Sequence, residues 1–294
     1  KVHVKLLQVL FILSVSTFPS TATKTALLNV DIQNCFVTNG TLPVPDGETI
    51  VPIINIILQG QQDKFDVIFN TQDWHPYDHI SFASQHLGHD VYDVIDLKYN
   101  PHGDLCSTST VNTSYSTKCS VVAHNVSQTL WPDHCVINTT DADFVSTLLT
   151  TDKTFIIQKG YNRKIDSYSA FYDNGGFTQT ELHNRLKSFD IDTLFITGLA
   201  TDFCLYWTAK DAKRLGYNVY VVLDTSRGIT FQGTIDAVAD MRTKGIHIIN
   251  STDVASALED LNQSSYATTL PSNHILVPMV LVAFWTMLDS IVFE

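Results

Sequence analysis

The stretch Asp192–Asp224, DTLFITGLATDFCLYWTAKDAKRLGYNVYVVLD, changes its periodicity twice. DTLFITG at its start and NVYVVLD at its end are continuously apolar runs rather than alternating ones, which is the pattern of strands covered on both faces. Between them TDFCLYWTAKDAKRLG has apolar residues at helical spacing, with Asp202 near its start and Gly216 just past its end, where cap preferences would place them. A strand, a helix and a second strand in this order need a crossover, and a crossover makes the two strands parallel. The same unit recurs outward in both directions. TALLNVD from Thr25, FDVIFN from Phe65, KTFIIQ from Lys153 and GIHIIN from Gly245 read as further strands, while ETIVPIINIILQGQQ, TQTELHNRLKSF and GTIDAVADMRTKG have helical spacing. The expected fold class is therefore α/β: a doubly wound, mostly parallel sheet with helices on both faces.

One segment breaks the rhythm. Residues 100–128 are rich in Ser and Thr, carry two Asn-x-Ser/Thr sequons and two cysteines, and read as an inserted loop. Cys106 and Cys119 are expected to pair and anchor it.

The ends carry targeting patterns. Lys1 and Lys5 flank an apolar run from Leu6 to Phe18, and small residues follow to Ala22, so residues 1–22 read as a secretory signal peptide. Small residues at Ser264 and Ser265, a polar spacer and an apolar tail from Ile275 read as a glycosylphosphatidylinositol signal over residues 263–294, with attachment between Asn262 and Ser265. The tail is interrupted by Pro278 and Asp289 and is shorter than a spanning helix needs, which leaves a single-pass anchor as the second choice. Sequons at Asn39, Asn112, Asn125, Asn138, Asn250 and Asn262 suit the same route. The expected product is one domain over residues 23–262, displayed on the extracellular face of the plasma membrane. The net charge of −12 excludes nucleic acid as a natural partner and argues against binding to an anionic membrane surface. Oligomeric state is not readable.

Polar residues follow the strands. Asp31 ends the first, Asp73 and His75 follow the second in TQDWHPYDH, Lys159 follows the third, and the turn GLATDFC follows the fourth. In open α/β sheets the carboxyl ends of the strands form the binding crevice, so these groups converge on one edge. Asp73 and His75 have the spacing of metal ligands, although such pairs also arise by chance on loops. The chain has five cysteines, an odd number, and Cys204 sits early in a helix, where the dipole and a nearby Lys159 would favour the thiolate of a nucleophile; an inert core cysteine is the alternative.

LLNVDIQNCF, NTQDWHPYDHISFA, LWPDHCV, QKGYNRKIDSYSAF and ITGLATDFCLYWTAKDA resemble, in order and spacing, the nicotinamidases of the isochorismatase-like cysteine hydrolase superfamily. The resemblance runs from about Thr25 to Val254, apart from the insert. It implies a catalytic Asp31, Lys159 and Cys204, with Cys204 attacking the amide of nicotinamide, Asp31 moving the proton and Lys159 keeping Asp31 ionised. Backbone N–H groups of Ala200 and Cys204 would hold the oxyanion, next to a cis peptide that the family places before the residue matching Ala200. Asp73, His75 and His134 are implied as ligands of one divalent metal ion that holds the pyridine nitrogen; two histidines and one aspartate suit zinc, with manganese or iron as alternatives. Phe36, Trp131 and Tyr168 match the aromatic walls around the ring. A related hydrolase of another small amide, or a surface binding protein of the same fold, are the competing readings.

Other polar residues are expected to be structural. Asp78 and His79 would orient the ligand loop, and His86, His89, His102 and His124 would lie in solvated loop. Arg227 is undecided. The chain departs from the family pattern in two places: Cys35 stands where an aspartate is usual, and INTT with the sequon Asn138 follows HCV in place of Gln-Gly, which puts the rim near His134 in doubt. Cys35 and Cys135 have no assigned partner and could bridge only within about 7 Å between Cα atoms.

Overall fold

A computed structural model describes residues 23–108, 111 and 113–267; residues 1–22, sequon Asn112 and residues 268–294 lie outside the described residues, with the apolar parts of both targeting patterns. The strands are β1 (Thr25–Val30), β2 (Val67–Asp73), β3 (Val94–Tyr99), β4 (His124–Thr129), β5 (Thr154–Lys159), β6 (Thr193–Leu199), β7 (Asn218–Arg227) and β8 (His247–Ile249). The helices are α1 (Ile50–Gln61), α2 (Leu182–Ser188), α3 (Cys204–Arg214), α4 (Phe231–Thr243) and α5 (Val254–Ala267). Six strands form one sheet in the order β5-β2-β1-β6-β7-β8, and each of its five pairings is parallel.

The continuous apolar runs are explained by coverage on both faces. Successive strand residues point to opposite sides: Ala26, Leu28 and Val30 of β1 enter a core with Leu186, Leu205 and Met241 of α2, α3 and α4. Leu27 enters the opposite core with Ile50, Ile54 and Leu58 of α1 and Leu258 of α5. All six β1 residues are buried. This is the doubly wound α/β fold, and the order reverses beside β1, whose neighbours are β2 on one side and β6 on the other. The crevice of such a sheet lies at that reversal.

The insert is more ordered than a loop. Residues 124–128, expected to be loop, belong to β4, which pairs antiparallel with β3. Both strands show mixed burial and polar sequence, VIDLKY and HNVSQT, which hid them. A small core of Leu97, Tyr99, Leu105, Val111 and Val126 lies beneath them. Cys106 and Cys119 are joined, 13 residues apart; closing so short a loop is worth about 3 kcal/mol in the chain-entropy picture.

Two further expectations need correction. Asp202 does not cap α3, whose preceding residue is Phe203; its carboxylate accepts from the N–H groups of Ile229 and Thr230 and so fixes the turn into α4. His86 is buried rather than solvated, with Nε2 2.7 Å from the Ile80 carbonyl. Asn39, Asn125, Asn138, Asn250 and Asn262 are all exposed. Among the described residues no helix is long and apolar enough to cross a membrane.

Candidate active site

β1, β2, β5 and β6 end side by side, and each delivers one reactive residue to the same place. Asp31 follows β1, Asp73 ends β2, and Lys159 ends β5 directly opposite Asp73 in the register. Cys204 opens α3 beyond the turn that closes β6. The ammonium of Lys159 joins them. Its Nζ lies 2.9 Å from Asp31 Oδ2, 2.9 Å from Asp73 Oδ1 and 3.5 Å from Cys204 Sγ, and it donates to the Ser167 carbonyl at 3.0 Å. Reactive atoms of Asp31, Asp73 and Cys204 lie within 4.8 Å of one another. Thr71 Oγ1 donates to Asp31 Oδ1 at 2.5 Å and holds the carboxylate in place.

Burial and charge oppose each other here. Burial raises the pKa of Asp31, and the Lys159 ammonium only partly offsets it. Burial pushes the Cys204 thiol well up; Lys159 pulls it down, but the carboxylates of Asp31 and Asp73 add to the rise. The expectation of a favoured thiolate is therefore corrected: one ammonium shared with two carboxylates does not outweigh desolvation of a sulfur anion. Burial opposes the charge on Lys159 as well, yet the two carboxylates hold its pKa well above the usual value.

The second corner is built around the other oxygen of Asp73. Its Oδ2 lies 3.1 Å from His75 Nε2 and 3.6 Å from His134 Nε2. His75 Nδ1 faces the Gly160 carbonyl at 2.9 Å, and His134 Nδ1 faces the Pro132 carbonyl at 2.8 Å. A carbonyl only accepts, so each Nδ1 donates and each neutral ring turns an Nε2 lone pair toward Asp73. Two lone-pair nitrogens facing a carboxylate oxygen repel unless a proton or cation lies between them. Burial disfavours a charged His75, but the Asp73 carboxylate outweighs it and raises the proton affinity of the ring. Burial likewise opposes the Asp73 charge, and a proton on His75 in the metal-free site, together with Lys159, holds its pKa well below the carboxylate range. With both rings neutral, two carboxylates face one ammonium, so the buried cluster has an uncompensated negative charge. The donor set, the tautomers and that charge all fit a divalent ion held by Asp73, His75 and His134.

Local sequence explains the fit. Gly160 has φ of +68°, and a Cβ there would strike the His75 ring, so only glycine lets its carbonyl reach Nδ1. Gln33 grips the Asp73 backbone from both sides, donating to its carbonyl at 2.9 Å and accepting from its N–H at 2.8 Å. His79 packs its ring 4.1 Å from that of His75, and Asp78 turns away to Arg163 at 3.2 Å.

A cleft opens onto Cys204, Asp73 and His134. Phe36, Trp131 and Tyr168 line it, as do Phe203, Ile229 and Asp166, which sequence reading did not single out. Phe203 packs edge-on against Trp131, 4.8 Å between centroids. Gln128 from the insert donates to Asp166 Oδ2 and to the Tyr168 hydroxyl, each at 3.0 Å, and Trp131 Nε1 donates to the same hydroxyl at 3.2 Å. Phe203 and Asp166 lie inside segments already marked by motif, TDFC and KIDSYSAF; Gln128 had no local signal. The Leu199–Ala200 peptide is cis. Among the described residues neither the Ala200 nor the Cys204 N–H has a hydrogen-bond acceptor, so both are available to an oxyanion.

Cys35 and Cys135, left without partners by the sequence, are joined to each other with 5.4 Å between Cα atoms. Cys204 is the free cysteine among the described residues.

Known proteins resemble the chain over most of its length. The isochorismatase domain family matches residues 25–253. A nicotinamidase of Acinetobacter baylyi is 40% identical over 234 residues, covering 79% of this chain and 95% of that protein. The structure of the yeast nicotinamidase bound to the inhibitor nicotinaldehyde superposes with a TM-score of 0.67 at 28% identity, over 77% of this chain and 99% of that one. A pyrazinamidase of Pyrococcus horikoshii in complex with zinc gives 0.57 at 29% identity, over 77% and 99% of the two chains.

Proposed function

The chain belongs to the isochorismatase family and is an amide hydrolase, and on that premise we propose that it is a nicotinamidase, converting nicotinamide to nicotinic acid and ammonia through a thioester on Cys204. The observation that carries this reading is the buried Lys159 ammonium, which touches Asp31, Asp73 and Cys204 at once, where Asp73 and Cys204 line an aromatic cleft. In this reading a nucleophile and a proton carrier stand beside an aromatic-lined cleft that His134 also borders.

Each step follows from these positions. The ring lies between Phe36, Trp131, Tyr168 and Phe203, with its nitrogen toward His75 and His134. Cys204 Sγ attacks the carboxamide carbon while Asp31 takes the thiol proton. Because the thiol pKa is raised, proton transfer accompanies the attack rather than preceding it. Burial also raises the pKa of Asp31, which makes it a stronger base than an exposed aspartate. The oxyanion is received by the Ala200 and Cys204 N–H groups. Asp31 then gives its proton to the nitrogen as the C–N bond breaks, and ammonia leaves. Water adds to the thioester with Asp31 as base, the C–S bond breaks, and the proton returns to sulfur. An ion held by Asp73, His75 and His134 would act as a Lewis acid on the pyridine nitrogen, orienting the ring and withdrawing electron density from the carboxamide.

We also place the enzyme outside the cell, anchored to the membrane. The support is the order of residues in 1–22 and 263–294, the exposed sequons and two disulfides, which suit an oxidising compartment. Recovery of the protein in the cytosol of its native cells would overturn the location alone. The function is tested by incubating purified, metal-loaded protein with nicotinamide and measuring ammonia; no release would overturn it.

A further inference from the structure

The Cys35–Cys135 disulfide touches no reacting atom, yet each of its halves adjoins a residue of the cleft. Cys35 precedes Phe36, and Cys135 follows His134. Phe36 and His134 both line the cleft and pack against each other, 5.7 Å between ring centroids. The two half-cystines are 100 residues apart in sequence and fully buried. Cys135 also has φ of +46°, the left-handed region that a residue with a Cβ adopts only when its surroundings hold it there.

Hydrogen bonds also hold this segment, and just beyond it the Ile137 N–H donates to the His75 carbonyl at 2.9 Å. The Cys135 N–H donates to Asp141 Oδ2 at 3.1 Å, and its carbonyl accepts from the His75 N–H at 3.1 Å. Asp141 is itself tied to the Phe36 side through the Thr41 hydroxyl at 2.6 Å, in an exposed contact open to competition from water. The remaining hydrogen bonds between the two segments run from the Thr41 N–H to Asp141 and from Ile32, Gln33 and Asn34 to residues 140–145, and none of them is made by residue 135. The disulfide is thus the one covalent tie between the ring wall at Phe36 and the ligand at His134.

We propose that Cys35 and Cys135 are a positioning pair, which fixes the His134 imidazole for metal binding and sets its separation from Phe36. The inference rests on the ligand and wall roles given above. It accounts for one departure of this chain from the family pattern, a cysteine where an aspartate is usual, and for the left-handed backbone directly after the third ligand. A buried cross-link constrains a loop without needing solvent-exposed hydrogen bonds. Residues that orient a metal ligand commonly change affinity by 10- to 100-fold when removed.

The test compares Cys35→Ser/Cys135→Ser with the wild type and with Cys106→Ser/Cys119→Ser, which removes the other disulfide, in the insert. Zinc affinity is measured by chelator competition, independently of turnover, and KM and kcat are then measured with zinc saturating, all well below each protein's unfolding temperature. The expected result is about a 10-fold or greater loss of zinc affinity and a rise in KM of similar size, with kcat within about 3-fold. The insert variant should lose thermal stability while keeping zinc affinity and KM. Should the serine pair fail to fold, Cys35→Ala/Cys135→Gly is used, since glycine takes the left-handed backbone freely. Unchanged zinc affinity and KM in the folded variant would overturn the proposal, as would equal losses in the insert variant. A wild type that takes up no zinc, manganese or iron would instead overturn the ligand reading, and this inference with it.

Discussion

The two corners that share Asp73 are made of similar residues and solve different problems. Around Oδ1 lie Lys159, Asp31 and Cys204, a group whose charges partly cancel and whose protons have somewhere to go. Around Oδ2 lie His75 and His134, whose Nδ1 protons are committed to backbone carbonyls and have nowhere to go. A corner that moves protons needs groups of opposed charge in direct contact, whereas a corner that holds an ion needs its tautomers fixed. The difference teaches that the backbone carbonyls of Gly160 and Pro132, not the imidazoles alone, distinguish a ligand from an acid–base catalyst.

The largest effect that would sharpen this contrast comes from the nucleophile. Cys204→Ala should reduce turnover by about 10⁴-fold or more while leaving nicotinamide affinity, measured by calorimetry, within a few-fold. Substantial turnover in that variant would remove the covalent mechanism. Lys159→Met should lose activity and also about 3–5 kcal/mol of stability in urea unfolding, because it leaves two buried carboxylates without their ammonium. A smaller loss than that of a core truncation would mean that water reaches this corner.

The ligand corner is probed without turnover. In Cys204→Ala protein, nicotinamide should bind more tightly than benzamide, whose ring has carbon in place of nitrogen, and chelation should abolish that advantage. If the advantage survives chelation, the two corners do not divide the work as described.

A smaller effect concerns pH. Asp31 must be ionised to accept the thiol proton, and its pKa is raised above the ordinary 3.8 by burial, with Lys159 opposing. The ionised fraction therefore falls at a higher pH than for an exposed aspartate, and the acid limb of kcat/KM should lie above 3.8. An acid limb at or below that value, in protein shown by circular dichroism to remain folded, would exclude Asp31 as the base. The smallest effect is expected from Asp78→Ala, which removes a half-exposed ion pair with Arg163 worth about 0–1 kcal/mol. Metal content should not change, and a loss comparable to that of His134→Ala would place Asp78 among the ligands.

Legibility followed the length scale of the signal. All six strands of the parallel sheet were visible because coverage on both faces demands continuous apolar runs, and the strand ends then located Asp31, Asp73, Lys159 and Cys204 on one edge. β3 and β4 were not visible, because one face of each meets water and the polar sequence of HNVSQT reads as loop. Gln128 is a residue of that strand, and its contacts with Asp166 and Tyr168 arise between segments 38 and 40 residues apart. Pairing of Cys35 with Cys135 spans 100 residues and leaves no local trace. The thiol of Cys204 was misjudged for another reason. Its helix position and its cation are sequence features, but the desolvation that outweighs them belongs to the folded interior.

The strand order has a consequence for how the molecule is made. Among the described residues β1 is the first strand to be synthesised, and it finishes at the centre of the sheet, between β2 and β6. Asn29 within it accepts from Thr197, which lies 168 residues later. At about 5–20 residues per second, the ribosome delivers that partner roughly ten to thirty seconds after β1 itself. Until then one edge of β1 has no strand beside it, and Asp31 is in place without Cys204. No nascent fragment that ends before α3 can therefore be active, and catalysis reports that the centre of the sheet has closed.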